Sequence, residues 1–218
     1  MKNESVTGAL GNTLRAGALL AVFALAGGSL LALTYSGTRE RIAENERAFT
    51  LRSLNEIVDT HRYDNDLFTD VVLVTDRDLL GSKDPVSVYR ARKNGQAVAA
   101  IIASQAPDGY NGTIKLLVGV NVDGGLAGVR ITGHRETPGL GDGIELERSN
   151  WVLDFAGHGL GRPAIEGWQV KRDGGDFDQF TGATITPRAV VRAVKNTLLY
   201  FDAHKNDLFS PPSQEVEN

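Results

Sequence analysis

An uncharged stretch near the start of the chain most constrains what it can fold into. Residues 16–38, AGALLAVFALAGGSLLALTYSGT, lie between Arg15 and Arg39 and carry no charged side chain. An α-helix of about 20 apolar residues crosses the hydrocarbon core of a bilayer, so this stretch is long enough to span a membrane. A cleaved signal peptide is the competing interpretation, because Ala24-Leu25-Ala26 resembles a cleavage site. The apolar run continues well past that tripeptide, which favours an uncleaved anchor.

Charge does not fix the side of the membrane on which the rest of the chain lies. Lys2 and Arg15 precede the stretch, and four arginines follow it closely, at positions 39, 41, 47 and 52. Positive charge favours the cytoplasmic side, which would place the C-terminal part in the cytoplasm. Long domains, however, cross membranes largely regardless of charge. Both orientations remain open on these residues alone.

Composition excludes several kinds of chemistry. The chain has no cysteine, so it has no disulfides, thiolate-bound zinc, iron–sulfur clusters ligated by its own cysteines, or cysteine nucleophiles. Any redox chemistry must therefore come from a bound cofactor. The net charge of −4 gives no basic footprint, so we expect no nucleic-acid partner.

Apolar patterning after the anchor predicts an α+β domain. Asn94-Gly95 lies between two apolar segments and is a strong hairpin signal, so we expect a mainly antiparallel sheet. Five segments rich in β-branched residues have the length of strands: 71–75, 86–92, 97–103, 113–120 and 126–132. A further strand is predicted over 165–172. Helical spacing predicts helices over about 39–60, 144–155 (burying Trp151, Val152 and Phe155) and 187–203.

The predicted fold class is thus a single N-terminal transmembrane helix followed by a soluble domain with a mainly antiparallel sheet and flanking helices. No glycine-rich dinucleotide fingerprint follows a strand. The segment RYDNDL, residues 62–67, is expected to be a solvated loop. The predicted parts are a short N-terminal segment (1–15), a transmembrane helix (16–38), a helical connector (39–70), the soluble domain (71–205) and a polar tail (206–218).

Three threonines precede the last predicted helix, in the sequence TGATITP, residues 181–187. Thr186 is a good helix N-cap and Pro187 suits the first helical position. Gly182 allows a tight turn ahead of the helix. The N-terminus of a helix attracts anions, phosphate above all. Spacing alone leaves two interpretations open, a well-capped helix and a phosphate site.

A second cluster, GHRETPGLGD, follows the strand predicted over 126–132. Its glycines and proline describe a loop of fixed shape between a strand and a helix. His134 and Glu136 could form an acid/base pair or part of a metal site, although a histidine satisfied within the loop is equally compatible. Tyr110, in a glycine-bracketed turn, could provide an aromatic wall for a planar ligand.

The motif around Thr184 resembles the covalent flavin-attachment motif of the FMN-binding domain family. The matching residues are Asp178-Gln179-Phe180-Thr181-Gly182-Ala183-Thr184. The N-terminal span and four further segments narrow the resemblance to the G subunits of Rnf (Rsx) membrane-bound electron-transport complexes: YDND (63–66), VSVYRAR (86–92), GYNG (109–112) and HRETPGLG (134–141). The resemblance covers roughly residues 10–205. The related C subunit of the sodium-pumping NADH:quinone reductase shares the flavin motif and the ETPGLG loop.

The resemblance implies that Thr184 carries FMN through a phosphoester made by a flavin transferase from an FAD donor. By the same resemblance Asp178 helps the transferase recognise the site, and Thr181, Gly182 and Ala183 cradle the phosphate. The loop residues Glu136, Thr137, Gly139, Leu140 and Gly141 pack against the isoalloxazine ring. No catalytic acid or base and no metal are expected. The family places the soluble domain on the periplasmic side of the bacterial inner membrane.

The expected function is that of a membrane-anchored flavoprotein subunit of an ion-translocating ferredoxin:NAD oxidoreductase, or translocase, relaying electrons through covalent FMN. No stand-alone catalytic activity is expected, and the partners are the other subunits of the Rnf complex and the flavin transferase. The alternatives are a non-redox anchored assembly or binding module and the equivalent subunit of a sodium-pumping NADH:quinone reductase. A hydrolase using Thr184 or Thr181 as nucleophile is disfavoured, because no base motif and no G-x-S-x-G elbow is present.

Overall fold

The computed structural model describes residues 3–210, with side chains from Leu14 onward, and opens with one long helix. Helix α1 runs over Asn3–Ile57. Within the described residues it is the one helix long and apolar enough to cross a membrane, judged by length and composition. The chain divides into two compact units, residues 1–49 and 50–218. In the first unit, large apolar side chains such as Leu20, Phe23 and Leu31 are exposed, as in a helix that faces lipid.

The second unit is built on a five-stranded sheet whose strands follow chain order. All four neighbouring pairs are antiparallel, so the predicted antiparallel sheet is confirmed. Short turns connect β2, β3, β4 and β5 in succession, whereas the connection from β1 to β2 is longer and contains a helix. The turn at Asn94-Gly95 has both residues at positive φ, 49° and 78°. The strands are β1 (Val71–Val74), β2 (Val86–Lys93), β3 (Gln96–Gly109), β4 (Gly112–Asn121) and β5 (Leu126–Gly133).

The two faces of the sheet are covered by different elements. A short helix α2 (Arg77–Leu80) and the long helix α3 (Ile185–Phe209) belong to the larger core on one face. The irregular segment after β5 adds aromatic side chains to this core: Trp151, Phe155, Trp168 and Phe177. On the other face, Leu54 and Ile57 of α1 pack with Ile101 and Leu117 of the sheet. The β3–β4 turn and the C-terminal end of β5 lie near the start of α3.

Two predicted elements after β5 are wrong. Residues 144–155 do not form one helix; they form 3-10 turns at Asp142–Ile144 and Asn150–Phe155. Ser149 interrupts them in an extended conformation, with its hydroxyl donating to the Gly143 carbonyl at 2.6 Å and accepting from the Trp151 N–H. The predicted buried face of Trp151, Val152 and Phe155 is nevertheless confirmed.

The strand predicted over 165–172 is also wrong. Trp168 and Val170 are buried with Gln169 exposed between them, which reproduces the alternation of a strand. The chain instead forms 3-10 turns at Ile165–Gly167 and Lys171–Asp173, because it doubles back tightly on itself. The Gly175 N–H donates to the Val170 carbonyl at 3.1 Å, and a side chain at Gly175 would collide with the backbone of Gln169.

Helix α3 differs from the sequence prediction at both ends. It begins at Ile185, and Thr184 is its N-cap residue, so Thr186 is not the cap and Pro187 is not the first helical residue. Pro187 is tolerated because N–H groups in a first turn have no intrahelical partner. The helix continues to Phe209, beyond the predicted end near residue 203. Of the tail predicted over 206–218, residues 211–218 lie outside the described residues.

Candidate functional site

A cavity of about 330 Å³ opens where three segments meet at the start of α3. The β3–β4 turn contributes one wall, the loop after β5 a second, and the threonine-rich motif with the first turn of α3 a third. The lining residues are Tyr110, Glu136, Thr137, Leu140, Gly141, Gly182, Ala183, Thr184, Ile185 and Thr186. Segments distant in sequence therefore share one concave site, the usual form of a small-molecule site.

Glu136 joins these walls through a buried carboxylate. Its Oε1 accepts from the Asn111 backbone N–H at 3.0 Å, and its Oε2 accepts from the Thr186 hydroxyl. Thr186 is also buried, so its hydroxyl serves this contact and not helix capping. Gly141 packs against the pair, because a Cβ there would lie 2.9 Å from Glu136 Cβ and 3.0 Å from Thr186 Oγ1. The carboxylate thus fixes the β3–β4 turn, the loop and α3 relative to one another.

The loop after β5 is held in a tight turn by its own backbone. The Leu140 and Gly141 N–H groups both donate to the Thr137 carbonyl, at 3.1 and 3.0 Å. Gly139 adopts a positive φ of 77°, and its N–H donates to Asp142 Oδ1 at 2.7 Å. The Asn111 amide donates to the Thr137 hydroxyl at 3.1 Å. The shape of the loop is therefore fixed by these hydrogen bonds.

The threonine-rich motif presents Thr184 at the cavity. Gly182 has a φ of 82°, in the left-handed region that favours glycine, and the next N–H, from Ala183, donates to the Phe180 carbonyl at 3.1 Å. This turn leads into Thr184, which is half-buried and lines the cavity. The Thr184 side chain makes no capping hydrogen bond. Its hydroxyl is instead approached by Arg172 Nη1, 3.5 Å away.

Ion pairs surround the motif on its solvent side. Arg188 binds Asp173 through two hydrogen bonds of 2.6 and 2.8 Å, and Lys171 pairs with Asp178 at 2.6 Å. The hydrogen bonds from Arg188 lower the pKa of Asp173, and Asp178 in turn raises the pKa of Lys171. These groups are solvent-exposed, so the pairs shape the local charge more than they stabilise the fold.

His134 and Glu136 do not form an acid/base pair through their side chains. The Glu136 backbone N–H donates to His134 Nδ1 at 3.0 Å, so Nδ1 is the acceptor nitrogen of the ring. The other nitrogen, Nε2, lies 2.7 Å from Glu145 Oε1 and is positioned to donate to it. Among the described residues no cluster of three or more His, Asp or Glu side chains could hold a metal. His134 thus makes the satisfied, structural contacts of a loop histidine.

Most of the predicted site residues lie in the cavity. Those lining it are Tyr110, Glu136, Thr137, Leu140, Gly141, Gly182, Ala183 and Thr184. Gly139 and Thr181 line a neighbouring depression beside it. Asp178 lines neither; its side chain pairs with Lys171, and its carbonyl accepts from the Trp151 indole at 2.8 Å.

Four contributors were missed by sequence reasoning: Ile185, Thr186 as the partner of Glu136, Asn111 and Arg172. Asn111 and Glu136 are 25 positions apart, and Glu136 and Thr186 are 50 apart. Local patterning carries no signal for such contacts. Only the glycines flanking Tyr110 and Asn111 marked their turn as unusual.

Exposed apolar side chains surround the mouth of the cavity. Tyr110 is 64% exposed, Leu140 49% and Ile185 45%. Large apolar groups at a concave polar site are costly in water, and a flat ligand would cover them. The arrangement of an apolar rim, a buried carboxylate and a hydroxyl at a helix start suits an amphipathic ligand with a planar end and an anionic end.

Comparisons of the amino-acid sequence with known proteins agree on one family. The FMN-binding domain profile matches residues 109–199, and the RnfG N-terminal region profile matches residues 1–57. The chain is 50% identical over 198 residues to the G subunit of the ion-translocating oxidoreductase complex of Pseudoalteromonas atlantica, covering 91% of this chain and 92% of that protein. It is 52% identical to the G subunit of the Pseudomonas aeruginosa complex, with the same coverage. The crystal structure of NqrC from Shewanella oneidensis is similar at a TM-score of 0.46 and 23% identity, covering 66% of this chain and 74% of that one.

Proposed function

Because this chain belongs to the family of G subunits of ion-translocating oxidoreductase complexes, we propose that it relays electrons through an FMN bound covalently to Thr184. The FMN-binding domain and the family membership make the chain a membrane-anchored flavoprotein subunit of such a complex. The observation that carries the covalent proposal is the placement of Thr184. Thr184 lines the cavity, and its side chain makes no capping bond to α3.

The residues present fit FMN. The apolar rim of Tyr110, Leu140 and Ile185 provides surface for a flat ring. Gly182 leaves room beside Thr184, because a Cβ there would meet only Leu140, at 3.8 Å. The N–H groups that begin the 25-residue helix α3 provide donors for a phosphate. When bound, FMN supplies one-electron transfer, which this cysteine-free chain cannot provide itself.

The attachment forms one bond and breaks one. The Thr184 oxygen attacks the phosphorus of an FAD donor, a P–O bond to threonine forms, and the pyrophosphate bond breaks to release AMP. The hydroxyl proton leaves to the transferase or solvent, and no electrons are exchanged. The product is a phosphodiester, which water hydrolyses slowly, so the cofactor stays with the chain outside the cell's free flavin pool.

The chain's own residues then have positioning roles. Glu136, in the loop after β5, accepts hydrogen bonds from the Asn111 N–H and the Thr186 hydroxyl and so holds this loop, the β3–β4 turn and α3 in fixed relative positions. Its charge lies at the cavity wall, where it would influence the affinity of a bound flavin for electrons. Thr137, Leu140 and Gly141 form the wall facing Thr184, and Thr181 with Asp178 lies on the solvent side, where a transferase has access.

The family membership supports a cellular location and a set of partners for this chain. The helix spanning residues 16–38 anchors the chain in the bacterial inner membrane, with the soluble domain on the periplasmic side. The chain would relay electrons between ferredoxin and NAD within the Rnf complex without binding either itself. Its partners would be the other Rnf subunits and, during maturation, the flavin transferase.

Replacing Thr184 by valine tests the attachment site. Wild type co-expressed with the transferase should give a fluorescent band on a denaturing gel, and Thr184→Val should give a dark one. The variant should stay folded by circular dichroism, because the Thr184 side chain does not cap α3. Thr113→Val, at an exposed threonine of β4, is the matched control and should remain fluorescent. A fluorescent Thr184→Val band would place the flavin elsewhere, and a dark wild-type band would overturn covalent binding.

A further inference from the structure

Arg172 approaches the Thr184 hydroxyl from outside the flavin motif. It belongs to the 3-10 turn Lys171–Asp173, and its Nη1 lies 3.5 Å from Thr184 Oγ1. This distance is at the outer limit of a hydrogen bond, so the guanidinium lies beside the hydroxyl without holding it tightly. A group bonded to that oxygen would therefore lie next to a guanidinium.

Several contacts hold the turn against the motif. The Arg172 backbone N–H donates to Gln179 Oε1 at 3.1 Å. Asp173 binds Arg188 in the first turn of α3, and Lys171 binds Asp178 at the start of the motif. The guanidinium is thus carried on a segment cross-linked to the residues on both sides of Thr184.

These cross-links leave Arg172 without an ion pair of its own, because the carboxylate of the adjacent Asp173 is bonded to Arg188. Its neighbours Lys171 and Arg188 each pair with a carboxylate. Among the side chains that the structure describes, those of residues 14–210, no carboxylate lies within ion-pair distance of Arg172. Arg172 is thus an exposed guanidinium beside a hydroxyl, with no ion pair of its own, and is complementary to a negative charge on that hydroxyl.

We propose that Arg172 is a positioning residue that pairs with the phosphate of the flavin on Thr184. This inference rests on the proposed function. A phosphodiester carries a single negative charge and two free oxygens, and the planar guanidinium is suited to donate to such oxygens. The pairing restrains the phosphate and, through it, the ring over the cavity.

Phosphorus-31 NMR of the holoprotein tests the pairing directly. The wild type, Arg172→Gln and Arg172→Lys are co-expressed with the transferase and compared. Arg192→Gln is the matched control, since it removes an exposed arginine of α3 whose partner is Asp108. The wild-type tryptic flavopeptide, residues 173–188, lacks Arg172 and provides the resonance of an unpaired phosphodiester. Flavin fluorescence anisotropy reports the mobility of the ring in the same samples.

In Arg172→Gln we expect the resonance to shift toward that of the flavopeptide and the anisotropy to fall. Arg172→Lys should remain nearer wild type, and Arg192→Gln should match it. A resonance in Arg172→Gln identical to wild type would overturn the inference while leaving covalent FMN intact. A wild type without flavin would overturn the proposed function and the inference together. If folded Arg172→Gln takes up no flavin, loading restored in Arg172→Lys supports the role of the charge, and an equally empty Arg172→Lys overturns it.

Discussion

Glu136 is the residue on which the shape of the cavity most depends. Its two carboxylate oxygens each accept one hydrogen bond from a different element, the β3–β4 turn and α3. In Glu136→Gln the amide oxygen can still accept from the Asn111 N–H, and the amide NH2 can donate to the Thr186 hydroxyl, which can rotate to accept. The replacement therefore exchanges charge-assisted hydrogen bonds for neutral ones, a loss of about 1 kcal/mol. The same replacement removes a negative charge from the cavity wall, which favours the addition of electrons to a nearby flavin.

We therefore expect Glu136→Gln to keep its covalent flavin, to lose about 1 kcal/mol of unfolding free energy and to raise the flavin reduction potential. Denaturant titration and a spectroelectrochemical titration measure the two effects. Glu145→Gln, the partner of His134 at the far side of the loop, is the control and should leave the potential near wild type. A lowered stability with an unchanged potential would make Glu136 a scaffold residue only.

At the scale of elements, the C-terminus of α3 is held by side chains of β2. Arg90 donates to the Ser210 carbonyl at 2.8 Å, and Arg92 donates to the Phe209 carbonyl at 3.1 Å. Asp70 pairs with both arginines, and the Arg90 side chain is only 5% exposed. The carbonyls at the end of a helix lack intrahelical partners, so these arginines act as a cap that joins α3 to the sheet.

Removing Asp70 should destabilise the domain by about 3 kcal/mol, because it leaves the buried Arg90 without its counter-charge. Chemical denaturation of Asp70→Ala measures the loss. Asp108→Asn removes the exposed partner of Arg192 and should cost less than about 1 kcal/mol. Equal losses in the two variants would show that the Asp70 pair contributes no more than a surface ion pair.

The end of α1 meets the sheet at a glycine. A Cβ on Gly119 of β4 would collide with Ile57 Cγ2, and Gly128 of the neighbouring β5 lies near the same residue. Arg130 of β5 donates to Glu56 Oε2 at 3.0 Å, which also holds the C-terminal end of α1 against the sheet. The absence of side chains at these positions thus lets residues 50–57 pack closely on the sheet.

Gly119→Ala should therefore lower stability by about 1–3 kcal/mol through overpacking. Thermal unfolding of the detergent-solubilised chain measures the change, and Gly161→Ala, which meets nothing within 4 Å, is the control. Combining Gly119→Ala with Ile57→Ala should cost less than the sum of the two single changes, because the second removes the atom that collides. Strict additivity would indicate that the two residues are not in contact.

For the whole molecule, short-range patterning predicted the architecture and long-range contacts determined the site. The anchor, the antiparallel strands and the Asn94-Gly95 hairpin follow from hydropathy, alternation and turn chemistry, all of which act between near neighbours. Trp168 and Val170 show the limit of that reasoning, because burial at alternate positions arises in a folded-back loop as well as in a strand.

The threonines show the same limit within the site. Thr186 looked like a cap because a hydroxyl precedes Pro187, yet a carboxylate 50 residues away engages that hydroxyl, and α3 begins one residue before it. Thr184 was identified through a family motif, since its spacing alone allowed a capped helix. Arg172 belongs to no sequence motif. Its position beside Thr184 is seen only in the structure, because the turn at 171–173 packs against the threonine-rich motif.

The most direct test of covalent attachment at Thr184 is to locate the flavin on the chain. Trypsin cleavage after Arg172 and Arg188 releases residues 173–188, DGGDFDQFTGATITPR, which contain all three threonines of the motif. Tandem mass spectrometry of this peptide from protein purified with its transferase should show one FMN adduct, with fragment ions that assign it to Thr184. An unmodified peptide, or an adduct on Thr181 or Thr186, would contradict the attachment of FMN to Thr184.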